Sequence, residues 1–165
     1  MKPTVKTEIK DRGWKRFLAT IDEIKHGDPH VKVGILAEGG GGEGRGEGLT
    51  NVTLAAIHEF GTSDGKIPER SFIRSAVARH RLEYIALIQK LLKQVIRQKM
   101  TLRQMFDIVG LQAANDIKKG VVSGDGIPPP LKPETIRRKK SSRPLVDTGR
   151  MIGAVTWATM VRGSK

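Results

Sequence analysis

From Ser71 to Ile117 the apolar side chains of this 165-residue chain recur three and four residues apart. That spacing places them on one side of a helix, because 3.6 residues complete each turn. Ile73, Val77, Tyr84, Ile88, Leu91 and Val95 form one stripe, widened by Ile85, Leu92 and Ile96. It predicts a helix from Ser71 to about Lys99. Thr101 and Gln104 then have capping-box spacing. Leu102, Met105, Phe106, Val109, Ala113 and Ile117 mark the buried face of the helix that follows. A chain that commits so much of its length to helix has only short segments left for strands.

Those segments are easy to find. "HVKVGILA", residues 30–37, alternates Val31, Val33 and Ile35 with Lys32 and Gly34, and residues 153–162, "GAVTWATMVR", alternate in the same way; a period of two is the strand signature. A first helix is expected over residues 12–26, with Trp14, Phe17, Leu18, Ile21 and Ile24 on its buried face. Asp11 is its expected cap, and Gly27, Asp28 and Pro29 end it. "NVTLAAIHEFGT", 51–62, reads as a short helix stopped by Gly61, and "IPERSF", 67–72, as a turn. Another short helix starts at Pro133. Residues 38–48 carry seven glycines and cannot hold a regular element, so a mobile loop is expected there. Residues 120–133, with three consecutive prolines, are expected to form an extended loop. The expected fold class is therefore α+β: one domain over 1–165, with a small antiparallel sheet packed against long helices.

Charge divides the chain. Residues 1–65 hold nine Lys/Arg against ten Asp/Glu, net −1, whereas residues 66–165 hold 21 against seven, net +14. A basic half of this kind points to a polyanionic or acidic partner. There is no cysteine, so disulfides and thiolate metal sites are excluded and a reducing compartment is expected. No apolar run is long enough for a membrane span, and the polar start, "MKPTVKTEIKDRG", has no signal core. The expectation is a protein that stays in the cytoplasm, with no membrane partner.

Three stretches imitate active sites. "DTG", 147–149, spells the tripeptide of aspartic proteases. Those enzymes need two carboxylates sharing a proton, and Arg150 beside Asp147 would favour the charged form. Asp147 and Thr148 fit better as caps of a single turn before the last strand. His58-Glu59 lacks the second histidine of a zinc helix, since position 62 is Thr. The glycine loop has no Gly-Lys-Ser/Thr, and its Glu38, Glu43 and Glu47 would repel phosphate. No catalytic, cofactor or metal residues are therefore expected. The basic cluster Arg137, Arg138, Lys139, Lys140 and Arg143 is the candidate contact for DNA or an acidic partner. It has no interleaved aromatics for base stacking.

Three segments then occur in a telling order: "LAAIHEFGT" at 54–62, "IPERSFIRSAV" at 67–77 and "PLVDTGRMIGAVTW" at 144–157. Together they resemble the tail-completion, or neck, proteins of long-tailed bacteriophages and related prophage morphogenesis proteins. The matching residues are Glu59, Phe60, Gly61 and Thr62; Pro68, Arg70, Phe72 and Arg74; and Leu145, Asp147, Thr148, Gly149 and Met151. "LKPETIRRK" also resembles a stretch of that family. Ser71 departs from it where proline is common, and the glycine loop looks inserted. The resemblance implies a structural subunit of the virion, assembled in the host cytoplasm into a ring, often a hexamer, at the top of the tail. Its implied partners are further copies of itself, the tail tube or tail terminator protein, head-closure or connector proteins, and genomic DNA in the channel. It implies fold roles for the motif residues: Glu59, Phe60 and Gly61 at a helix end, Arg70, Phe72 and Arg74 around the turn, and Asp147 and Thr148 at the last cap. The alternative reading is a nonspecific DNA-binding protein that uses its basic half.

Overall fold

A computed structural model describes residues 13–37, 50–124, 127, 129–130, 133–139 and 149–162. The elements run α1 (Trp14–His26), β1 (His30–Ile35), α2 (Asn51–Phe60), α3 (Ile73–Arg79), α4 (Arg81–Ile96), α5 (Leu102–Ser123), α6 (Pro133–Lys139), α7 (Arg150–Gly153) and β2 (Val155–Met160). The class is α+β. β1 and β2 pair antiparallel from His30 opposite Met160 to Ile35 opposite Val155, and this two-stranded sheet packs on α5.

The central position of α5 follows from its sequence. Thr101 and Gln104 form both bonds of the capping box: the Gln104 backbone N–H donates to Thr101 Oγ1 at 3.1 Å and the Thr101 N–H to Gln104 Oε1 at 2.9 Å. Gly110, in mid-helix, leaves room for the sheet. A Cβ built there would stand 2.6 Å from the Trp157 ring and 2.8 Å from Val31. One turn earlier, Thr159 donates its hydroxyl to Asp107 at 2.6 Å, which fixes β2 along the helix.

Two apolar clusters result. One gathers Ala55, Phe72, Ala76, Ile117, Met151 and Val155 from α2, the α3 entry, α5, α7 and β2. The other gathers Leu91, Val95, Leu102, Met105 and Val109 in the α4–α5 hairpin. Buried Tyr84 of α4 donates to Asp116 of α5 at 3.1 Å. Asp116 also accepts from Gln112 at 3.0 Å. Burial, then the Asp116 charge, raise the Tyr84 pKa, so the phenol keeps its proton and remains a donor.

Several expectations need correction. The helix expected from Ser71 to about Lys99 is two helices, broken at His80. Tyr84, Leu91 and Val95 are buried, but Val77, Ile85 and Ile96 are exposed. The apolar stripe is wider than the one neighbour that covers it. The extended loop begins later than expected, because α5 continues to Ser123 and stops at Gly124 in the left-handed region, φ 73°. The apolar face of α1 is present but only partly covered: Phe17 and Ile21 are half-buried, Trp14, Leu18 and Ile24 are exposed, and no residue of this helix is fully buried. Its N-cap position is held by Gly13, also left-handed, with no side-chain cap; Asp11 lies outside the described residues. The strands are shorter than the patterns 30–37 and 153–162. The helix expected at Pro133 is α6. The glycine loop, 38–48, lies outside the described residues.

Candidate functional site

The sequence-selected residues of the first two segments, Glu59 to Thr62 and Pro68 to Arg74, converge on the corner between α2 and α3. Thr50 caps α2 by accepting from the Thr53 N–H at 3.1 Å. The helix ends at Gly61, whose φ of 75° is open to glycine and strained for other residues. A Cβ at Gly61 would also meet the Glu69 backbone nitrogen at 2.8 Å. Thr62 closes the following turn twice: its N–H donates to the Ile67 carbonyl at 2.9 Å and its hydroxyl accepts from the Ile67 N–H at 3.0 Å. Pro68 is half-buried, and the Arg70 N–H returns to the His58 carbonyl at 2.8 Å.

Glu59 fastens this corner. It is only 4% exposed. Oε2 accepts the backbone N–H groups of Phe72 at 2.8 Å and Ile73 at 3.0 Å. Oε1 accepts the Arg74 N–H at 3.0 Å, the Ser71 hydroxyl at 2.9 Å and the Arg74 guanidinium at 3.0 Å. Helix N-termini leave their first N–H groups without partners inside the helix. Here a carboxylate one helix away supplies the acceptors that the N-cap residue, Phe72, does not. Burial by itself raises the Glu59 pKa. The hydrogen bonds from Ile73, Arg74 and Ser71 outweigh it and hold the carboxyl below its ordinary value.

Two arginines divide the outer work. Arg74 reaches the Glu59 carbonyl at 3.1 Å and Glu69 at 2.7 Å, and its guanidinium lies 4.8 Å from the centre of the Phe60 ring. Phe60 therefore remains exposed but held, a cation–π contact rather than a core residue. Arg70 is buried and aims elsewhere: Nε donates to the Pro129 carbonyl at 3.1 Å and Nη2 to the Pro130 carbonyl at 3.5 Å. Burial lowers its pKa. Phe72 is buried in the first apolar cluster beside Met151.

This geometry defines what the corner can do. Both Glu59 oxygens are occupied by donors, and the carboxyl is held in its charged form. It is built to fix two helices rather than to carry a proton. His58-Glu59 accordingly reads as part of a brace, and among the described residues no cluster of His, Cys, Asp or Glu is arranged to hold a metal ion. Asp147, Thr148 and Leu145 lie outside the described residues. Gly149 occupies the N-cap position of α7 with φ 73° and no side-chain cap. Arg137 is exposed on α6; the side chains of Arg138 and Lys139, and all of Lys140 and Arg143, are outside the described residues. Sequence reasoning missed the link from Arg70 to the proline loop, the Tyr84–Asp116 pair and the role of Gly110. Each joins residues far apart in the chain, and none has a local signature. The motif spacing gave the only signal for Arg70.

Comparison of the chain with protein-family models, with curated proteins and with solved structures gives no match. Among the described residues no helix is long and apolar enough to cross a membrane.

Proposed function

We propose that this chain is a structural virion protein of a phage neck, a subunit of a ring that joins the tail tube to the head connector around the DNA channel. One observation supports the reading above the rest. The three segments on which the resemblance rests serve one architectural centre: Ala55 of the first, Phe72 of the second and Met151 and Val155 of the third share one apolar cluster. Glu59 ties the first segment to the second through five hydrogen bonds. Residues chosen to carry a shape, rather than a reaction, behave in this way.

The test is the mass of the purified chain by light scattering, with and without a tail-tube protein, followed by electron microscopy of any assembly. The reading expects a closed ring, alone or on the tube. A monomer that ignores the tube overturns it. A second reading, nonspecific binding to duplex DNA, draws on the net +14 of residues 66–165 and on exposed Lys90, Lys93 and Arg97. It expects a monomer whose affinity falls linearly with salt on a log–log plot.

A further inference from the structure

The outward side of α4 carries a second apolar row, of which only Leu92 packs on the core among the described residues. Leu82, Ile85, Gln89, Leu92 and Ile96 stand three, four, three and four residues apart, the seam spacing of paired helices with one polar position. Leu82 is 79% exposed, Ile85 41% and Ile96 45%. The row spans about 21 Å at the helical rise. Leu92 also lines an open cavity of about 450 Å³ between the end of α1 and the α4–α5 hairpin, with Ile24, Ile88, Leu102, Met105 and Phe106 on its apolar part and Lys25, His26 and Asp28 on the rest. The surface is thus a ridge with an open, mostly apolar cavity beside it that can take an apolar side chain.

Charge selects the occupant. One flank of the row turns into the α4–α5 contact through Ile88 and Val95. The other carries Lys90, Lys93 and Arg97, all exposed, and none forms an ion pair among the described residues. Glu83 is the only acid in α4, and it already meets His80 at 3.0 Å. A second α4 could set only that one carboxylate, already engaged, against Lys90, Lys93 and Arg97. DNA would satisfy the cations but not a leucine and two isoleucines. We infer that this face of α4 is a docking site for one amphipathic helix of another protein, with acidic residues along the edge that meets Lys90, Lys93 and Arg97 and an apolar anchor for the cavity. The inference does not depend on the neck reading, since it rests on α4 and the cavity beside it and not on the α2–α3 corner.

The test uses the whole chain and two fluorescent helical peptides of about 18 residues, long enough to span the row. Both carry the same leucine seam; one has glutamates on its flanks, the other lysines. The expected result is saturable binding of the glutamate peptide, at least about tenfold tighter than the lysine peptide, because flanking charges set partner choice. Leu82→Ser with Ile85→Ser should abolish binding. Lys90→Glu with Lys93→Glu should reverse the preference towards the lysine peptide. All four positions are exposed, so the fold tolerates these changes, and circular dichroism checks that it does. Equal binding of the two peptides overturns the inference. So does binding that survives the serine pair, or displacement of the bound peptide by a short DNA duplex.

Discussion

At the scale of the residue, one carboxylate carries more of the fold than any other polar group in view. Glu59 is buried, charged and bonded to three backbone N–H groups at the start of α3. Glu59→Gln keeps the shape but replaces one oxygen with a donor that faces other donors. The expected loss is about 2–4 kcal/mol, the range for breaking a buried charged network on one side. It is read as a lower urea midpoint at unchanged slope. An unchanged midpoint would mean that the brace is ornamental. The same group sets a pH dependence. Its folded-state pKa lies below the ordinary value of 4.5, so between the two values the unfolded chain binds the proton and the folded chain does not. The stabilisation is complete above about pH 4.5 and is lost as pH falls through the lower, folded-state pKa. The wild-type urea midpoint should therefore drop across that acid window. In Glu59→Gln this part of the drop should be missing.

At the scale of the element, α5 organises the molecule, and Gly110 shows how. Alanine at a helix interior is worth up to about 1 kcal/mol over glycine, so propensity alone favours Gly110→Ala. The space says otherwise: the new Cβ would sit 2.6 Å from the body of the Trp157 ring and 2.8 Å from Val31. Separating the sheet from the helix is expected to cost more than propensity returns, a net loss of about 1–3 kcal/mol. A thermal melt decides it, and a raised Tm would show that the sheet is free to shift. This glycine also marks the limit of what periodicity can reveal. The faces of α5 and the alternation of both strands were legible, because each is a repeat within one element. The break at His80 was not, although the repeat lapses there: His80 and Arg81 stand where an apolar residue is due, and the seven-residue step from Val77 to Tyr84 keeps the same face and hides the gap. The exposure of Val77, Ile85 and Ile96 was not legible either, because periodicity reports an apolar side but not how many neighbours cover it. The corner was half legible. Motif spacing identified Glu59, Gly61, Arg70 and Arg74, while the direction of each side chain needed the fold. The expected caps Asp147 and Thr148 lie outside the described residues.

At the scale of the whole molecule, stability is spread unevenly, and the distribution can be measured. Both apolar clusters draw on α5, whereas α1 contributes no buried residue. Gln98 donates to the Gly13 carbonyl at 2.7 Å, and the Arg162 N–H donates to Glu23 at 2.6 Å. A helix of 13 residues is marginal in water without packing. Native-state hydrogen exchange should therefore find the α1 amides opening at about 0–2 kcal/mol, far below the core of α5 around Met105 to Ile117, which should open only with global unfolding. Trp14, stacked on the half-buried Phe17 ring at 5.4 Å, and Leu18 present exposed apolar surface among the described residues. If a copy or a partner covers that surface in an assembly, α1 protection should rise on assembly while that of α5 stays fixed. Equal protection of α1 and α5 in the isolated monomer would overturn this picture and make α1 part of the core that its sequence first implied.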